Sequence, residues 1–213
     1  MIDYLITHYD DLGKATLEHL QIVLVTLAIS LVIAAGFTLI CSCFNQIAQF
    51  ILGLFSMIYS IPSLALFALL IPLTGLGKTT AITVLVIYNQ YLLLRNFLAG
   101  LDEVDKSIVE AAIGMGMTPV QVLIKIKLPL TKCAFLTGIR IAMVATVSIA
   151  TIAASINAGG LGTILFDGLR TMNSAKIFWG SLLSALLAIF IDGLLGFLNK
   201  ADRSPKTPEA PQS

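Results

Sequence analysis

Charge is what this sequence has little of. From His19 to Gly77 there is no Asp, Glu, Lys or Arg, and over the whole chain 12% of residues are charged against 57% hydrophobic. A soluble domain carries about a quarter charged residues, so a soluble fold is excluded and the chain is read as an integral membrane protein. A net charge of +1, with no basic cluster interleaved with aromatics, excludes nucleic acid as a partner. Cys41, Cys43 and Cys133 form neither a metal-type CxxC pair nor a disulfide framework and read as small apolar residues. His8 and His19 are the histidines, with no serine, cysteine or paired carboxylate standing with them, so the constellation of a membrane enzyme is missing. The opening is acidic, with Asp3, Asp10, Asp11 and Glu18 against Lys14. It lacks the basic start of a signal peptide, and residues 1–18 are expected to be a retained extracytoplasmic segment.

What the sequence has in plenty is apolar length. A membrane helix needs about 20 apolar residues. The charge-free run accommodates two spans, Leu20 to Phe44 and Phe50 to Leu73, with "NQIAQ" at Asn45 to Gln49 as the turn between them. Further spans are expected from Thr79 to Leu98, Ala134 to Ala158 and Ile177 to Leu198, which makes residues 19–198 an all-α, five-span transmembrane domain. The proline-rich remainder, 199–213, reads as a disordered tail. Placing the amino terminus outside puts Lys106, Lys125, Lys127, Lys132, Lys200, Arg203 and Lys206 in the cytoplasm, and leaves Lys14, Lys78, Arg170 and Lys176 outside. The positive-inside rule favours that orientation, with the carboxyl terminus inside.

One long loop, about 101–132, mixes charge with apolar residues: "VDKSIVEAAIGMGMTPVQVLIKIKLP", Val104 to Pro129. Ile108, Ala111, Ala112 and Met115 follow the spacing of one helix face, with two alanines at its centre. Gly114 and Gly116 end that helix. Thr118 followed by Pro119 opens a second one as N-cap and first helical residue, which Pro129 closes. Such a hairpin, with an exposed small-residue face beside Asp105, Lys106 and Glu110, suits docking into a groove of a soluble partner. Periodicity alone leaves open a helix lying on lipid headgroups.

The spacing Glu110-Ala111-Ala112, three residues, Gly116, nine residues, Ile126, one residue, Leu128-Pro129 resembles the full EAA-loop signature of the permeases of bacterial ABC importers. The likeness extends over residues 19 to 198 and is to the type I permeases with a five-helix core. It implies that this loop is the coupling helix seated on a cytoplasmic ATPase dimer. It implies also a second permease copy, identical or paralogous, an extracytoplasmic substrate-binding protein, and transport without catalysis in this chain. No cofactor is expected here, ATP and magnesium belonging to the partner ATPase. "IYSIPSLALFALLIPLTGLG" at Ile58 to Gly77 and "INAGGLGTILFDGL" at Ile156 to Leu169 look most like osmoprotectant permeases for glycine betaine, carnitine or choline. Amino-acid importers share parts of both stretches and are the alternative cargo class.

Other features are weaker. "PLTGLGKTT" resembles a nucleotide loop, but Pro72 stands where its first glycine is required. "DEVD" at Asp102 to Asp105 reads as a helix start with negative charge at the N-terminus. Arg140 and Asp192 each lie about 12 Å from one end of their helices at 1.5 Å per residue, and an ion pair between them is expected, since charges within spans are costly. "NAGGLG" reads as a turn. Tyr59, Pro62, Ser63, Tyr88, Asn89 and Asn157 are polar or helix-bending positions that suit a passage lining, with interhelical packing as the plainer account. Nothing in the spacing of Trp179 and the tyrosines makes an aromatic cage. A secondary transporter or channel would have no need of the hairpin, and the internal repeats common in that class are not seen.

Overall fold

A computed structural model describes residues 2–43 and 45–201. Among them every regular element is helical: α1 (Ile2–Thr7), α2 (Tyr9–Cys43), α3 (Asn45–Tyr59), α4 (Ser63–Thr74), α5 (Lys78–Asp102), α6 (Lys106–Gly114), α7 (Pro119–Val122), α8 (Leu128–Leu130), α9 (Lys132–Ala153), α10 (Leu161–Arg170) and α11 (Ser174–Ala201). Helices α2, α5, α9 and α11 are long and apolar enough to cross a membrane, and α3 with α4 make a fifth span bent by 97°.

Several boundaries differ from the sequence reading. α2 begins at Tyr9, not Leu20, and its 35 residues extend about 52 Å at 1.5 Å each, well beyond the roughly 30 Å hydrocarbon core. Asn45 to Gln49 form the first turns of α3 rather than a connection. The single span expected from Phe50 to Leu73 is broken at Ser60–Pro62. Proline disfavours helical geometry in the residue before it and gives no N–H to the turn behind. α11 runs through Ala201, so 199–201 are helical; the rest of the expected disordered tail lies outside the described residues.

α5 is the central helix and is buried on most of its faces. Leu85 packs with Ile22, Val23, Met143 and Val147, and Val84 and Tyr88 with Phe67 and Ala153. Near the hairpin end, small residues bring α5 and α9 together. A Cβ on Gly100 would lie 2.4 Å from that of Ala134, and one on Gly138 2.8 Å from that of Asn96. Ala134 and Gly138 are one turn apart, the small-xxx-small spacing by which membrane helices approach closely. Midway along, Asn89 Nδ2 donates to Thr146 Oγ1 at 2.9 Å and Ser30 Oγ at 3.3 Å, and Gln90 Nε2 to the Ser30 carbonyl at 3.3 Å. This node ties α2, α5 and α9 with bonds worth about 0.6 kcal/mol each in lipid.

α11 packs on the outside of the bundle. It is clipped to α9 by a two-pronged ion pair in which Arg140 Nε faces Asp192 Oδ1 and Arg140 Nη2 donates to Asp192 Oδ2 at 2.6 Å. Nearer the hairpin end, Asn199 Nδ2 donates to Thr137 Oγ1 at 3.2 Å, and Gly196 leaves room for the guanidinium.

Two predictions follow from this packing. Gly100→Val should lower the midpoint of thermal unfolding in mild detergent by an amount equivalent to about 1–3 kcal/mol. Gly13→Ala, whose Cβ meets nothing within 4 Å, should not lower it. Arg140→Asp and Asp192→Arg should each lower the midpoint of thermal unfolding, modestly because both side chains are 39% exposed. The double exchange should recover most of the loss, and a double variant no more stable than either single one would sink the pair as a clip.

Candidate functional site

The hairpin is set by its caps. Asp105 is the N-cap of α6, its carboxylate accepting the Ser107 N–H at 2.8 Å, which holds its carboxyl below the usual range. α6 stops in a Schellman turn: Gly116 N–H bonds the Ile113 carbonyl at 2.8 Å and Met117 N–H the Ala112 carbonyl at 3.1 Å. Gly116 sits at φ +84° with nothing within 4 Å of its missing Cβ, so backbone conformation alone requires glycine. Thr118 and Gln121 then form a reciprocal capping box with Pro119 in the first turn.

Pro129 does not close the second arm as the sequence reading has it. It has no N–H to give to the turn behind it, and the ladder slips by one residue into a π turn over Leu123–Lys127, where the Leu128 N–H bonds the Leu123 carbonyl. Helix then continues through Leu130 and resumes at Lys132. Buried Thr131 donates both its hydroxyl, at 2.9 Å, and its N–H, at 3.1 Å, to the Lys127 carbonyl.

The exposed surface of α6 carries Ile108, Glu110, Ala111, Ile113 and Met115. Ala112 is 1% exposed, which corrects its place on the docking face. Its enclosed methyl leaves little room for a larger side chain. Leu123 packs with Cys41, Leu98 and Leu101, joined by Leu128, so the second arm is rooted among the membrane helices. Ile126 is half-buried and Pro129 exposed. Between the arms lies a cavity of 390 Å³ bounded by Val109, Ile113, Pro119 and Leu123.

At the far end, the glycine-rich turn puts Asn157, Gly159 and Gly160 at φ +65°, +90° and +79°. Glu18 Oε2 accepts the Gly160 N–H at 3.2 Å, and its other oxygen faces Lys78 Nζ at 3.9 Å. Lys78, the lysine of the false nucleotide loop, is thus engaged with a carboxylate. The turn leads into α10, which sequence reading missed. The signal was present in the helix-face spacing of Leu161, Ile164, Leu165 and Gly168, masked by the glycines before it. α10 folds back on α11 with Asp167 bonded by Lys176 at 2.5 Å and Arg170 at 2.9 Å. Those two donors hold the Asp167 carboxyl below its ordinary range.

The passage candidates do not form one lining. Tyr59, Pro62, Ser63 and Tyr88 gather at the bend: the Tyr88 hydroxyl donates to the Ile61 carbonyl at 2.5 Å, and the Tyr59 and Tyr88 rings meet edge to face at 5.5 Å. Asn89, 2% exposed, belongs to the interhelical node. Asn157 stands in the far-end turn, its carbonyl 3.7 Å from where a Gly77 Cβ would be. Arg140 and Asp192 meet on other helices again, α9 and α11. Tyr91 joins Tyr59 at 5.0 Å between ring centroids, a gathering that spacing hides because its members come from two helices. Among the described residues, no group of three or more His, Cys, Asp or Glu side chains could hold a metal.

Comparison with known proteins agrees with this geometry. The chain is 32% identical over 201 residues to a carnitine transport permease protein of Listeria monocytogenes, covering 92% of each. It is 33% identical over 195 residues to a choline transport system permease protein of Bacillus subtilis, covering 92% of this chain and 90% of that one. Its fold superposes on a chain of the inward-facing MetNI methionine ABC transporter with a TM-score of 0.84 at 21% identity, over 91% of this chain and 96% of that one. Residues 33–203 match the family described as binding-protein-dependent transport system inner membrane component, and the chain belongs to that family as a multi-pass permease subunit of a type I ABC importer.

Proposed function

We propose that this permease carries a quaternary-amine osmoprotectant of the glycine betaine, carnitine and choline class into the cell. The observation that carries the cargo is the identity, sustained over about nine-tenths of the chain, to permeases named for carnitine and choline. The chain sits in the lipid of the cell membrane with its amino terminus outside and pairs with a second permease copy. A binding protein delivers substrate at the end formed by the Asn157–Gly160 turn and α10. A cytoplasmic ATPase dimer, holding ATP and magnesium, receives the hairpin at the other end.

The geometry supports a mechanical account. Glu110, Ala111 and Gly116 present the capped end of α6 to the ATPase, while Ala112 is enclosed. Ile126, Leu128 and Pro129 belong to the arm that runs into α9, and α6 follows α5 after three residues. Movement of the ATPase is thereby delivered to α5 and α9, which approach closely at Gly100 and Ala134. ATP binding drives the change only by favouring one global arrangement over the other; hydrolysis returns the passage to face inward.

The test begins with a gentle pull-down of the tagged chain from native membranes. It should recover an ATPase subunit and a binding protein, and calorimetry should show that binding protein taking up glycine betaine, carnitine or choline. An ATPase recovered with a binding protein that takes only amino acids would overturn the cargo. Gly116→Asp, which places a side chain at φ +84° at a cost of about 1–2 kcal/mol, should leave the protein inserted and cut uptake about tenfold or more. Gly114→Ala, in helical backbone with open space around it, should keep uptake. Normal uptake by the Gly116 variant would defeat the coupling assignment.

A further inference from the structure

Between Thr80 and Gly100, α5 is exposed only at Arg95 and Ala99. Tyr91, half-buried, stands one turn before Arg95, so Tyr91, Arg95 and Ala99 form a single file at which this otherwise enclosed helix opens outward. The file continues the half-buried Thr83 and Ile87 and, midway along α5, lies against the break in the second span. There Tyr59 lies 5.0 Å from Tyr91 with the rings tilted at 34°, and Tyr88 holds the broken strand of helix by its Ile61 carbonyl. The result is a continuous aromatic surface at mid-membrane depth beside a helix break. Broken helices at this depth are tolerated where they face protein or a cavity.

A cation already rests on this surface. The Arg95 guanidinium carbon is 5.9 Å from the Tyr91 ring centroid, and Arg95 Nη1 donates to the Tyr91 hydroxyl at 3.0 Å. The hydrogen bond of this intramembrane charge goes to a phenol rather than to a carboxylate. Arginine within a span is costly and marks a polar route in most cases. Its position places a positive charge within cation–π reach of Tyr91 on the open side of α5.

We infer that Tyr91, with Tyr59 beside it, is a transient seat for the trimethylammonium group of the cargo midway across the membrane, and that Arg95 binds the carboxylate of those cargoes that have one. This rests on the cargo class proposed above. The chemistry fits two distinct needs. A trimethylammonium group has no N–H to donate, so a ring face is the partner it can use. Glycine betaine and carnitine also carry a carboxylate, which a guanidinium meets with paired hydrogen bonds. As the ammonium takes the ring, Arg95 gives up its place there and gains the carboxylate instead. Choline has a hydroxyl in that position and gains nothing from the arginine. Tyr91 therefore recognises the whole class, and Arg95 separates its zwitterions from its simple cations.

Equilibrium binding of radiolabelled glycine betaine and choline to the purified permease–ATPase complex in nanodiscs, without the binding protein, reads this directly. Wild type should retain both. Tyr91→Leu should weaken both by about tenfold, while Tyr91→Phe, which keeps the ring, should stay within about twofold. Arg95→Gln should weaken glycine betaine by about tenfold and leave choline within about twofold. Equal losses of the two ligands in Arg95→Gln, or unchanged binding in Tyr91→Leu, would overturn the seat. So would a wild-type complex that retains neither ligand. In that case uptake of a quaternary amine from its loaded binding protein still upholds the cargo reading, and absence of that uptake removes it separately.

Discussion

The close approach of α5 and α9 at Gly100, Ala134 and Gly138 is the contact on which the rest of the structure depends. In lipid there is no hydrophobic force pressing one apolar helix against another, so association rests on how near two backbones can come and on the polar bonds between them. Here both act on the same pair. The small residues close the hairpin end, and Asn89 with Thr146 closes the middle. Because the hairpin leaves from the end of α5 and returns into the start of α9, this contact fixes its two roots. A hairpin whose roots were free to part would absorb motion locally; one whose roots are packed through Gly100 and Ala134 must pass it on.

The hairpin was the most legible part of the sequence because its determinants are local. Asp105, Gly116, Thr118 and Pro119 act on the backbone within three residues of themselves, and neither lipid nor a distant helix alters what they dictate. Ala112 shows where that legibility stops. Periodicity placed it with Ala111 on one face, but a helix face of this width has an edge. Which alanine is enclosed is a tertiary fact that periodicity does not carry. Pro129 erred for a similar reason: the rule that proline ends a helix omits the option of slipping one residue into a π turn.

The second span failed in a different way. Hydropathy integrates over about 20 residues and is blind to direction, so Phe50 to Leu73 read as one crossing although the chain bends by 97° within it. Pro62 was singled out, but a proline alone specifies neither the angle nor what stabilises it. The stabiliser is the Tyr88 hydroxyl on another helix, occupying the Ile61 carbonyl that the bend leaves without a helical donor. α10 was hidden by its entrance, since glycines at positive φ signal a turn and say nothing of the amphipathic helix after it. The ion pair of Arg140 with Asp192 could be anticipated from depth alone, because two opposite charges at one level in lipid have few other partners.

Tyr88 and Tyr91 stand on the helix whose last turn carries Gly100 and leads into the hairpin. This has an energetic consequence independent of any pathway of small shifts. If the arrangement of α5 relative to α3 differs between the two global states, then the aromatic surface between them differs as well, because Tyr59 belongs to one helix and Tyr91 to the other. A group bound to that surface then has unequal affinity for the two states. Linkage makes the effect reciprocal: whatever ATP does to the surface through the hairpin, occupancy of the surface does to ATP binding by the same factor. A permease that works as proposed needs no separate sensor of its load, since the seat inferred for the cargo stands on the helix that leads into the hairpin.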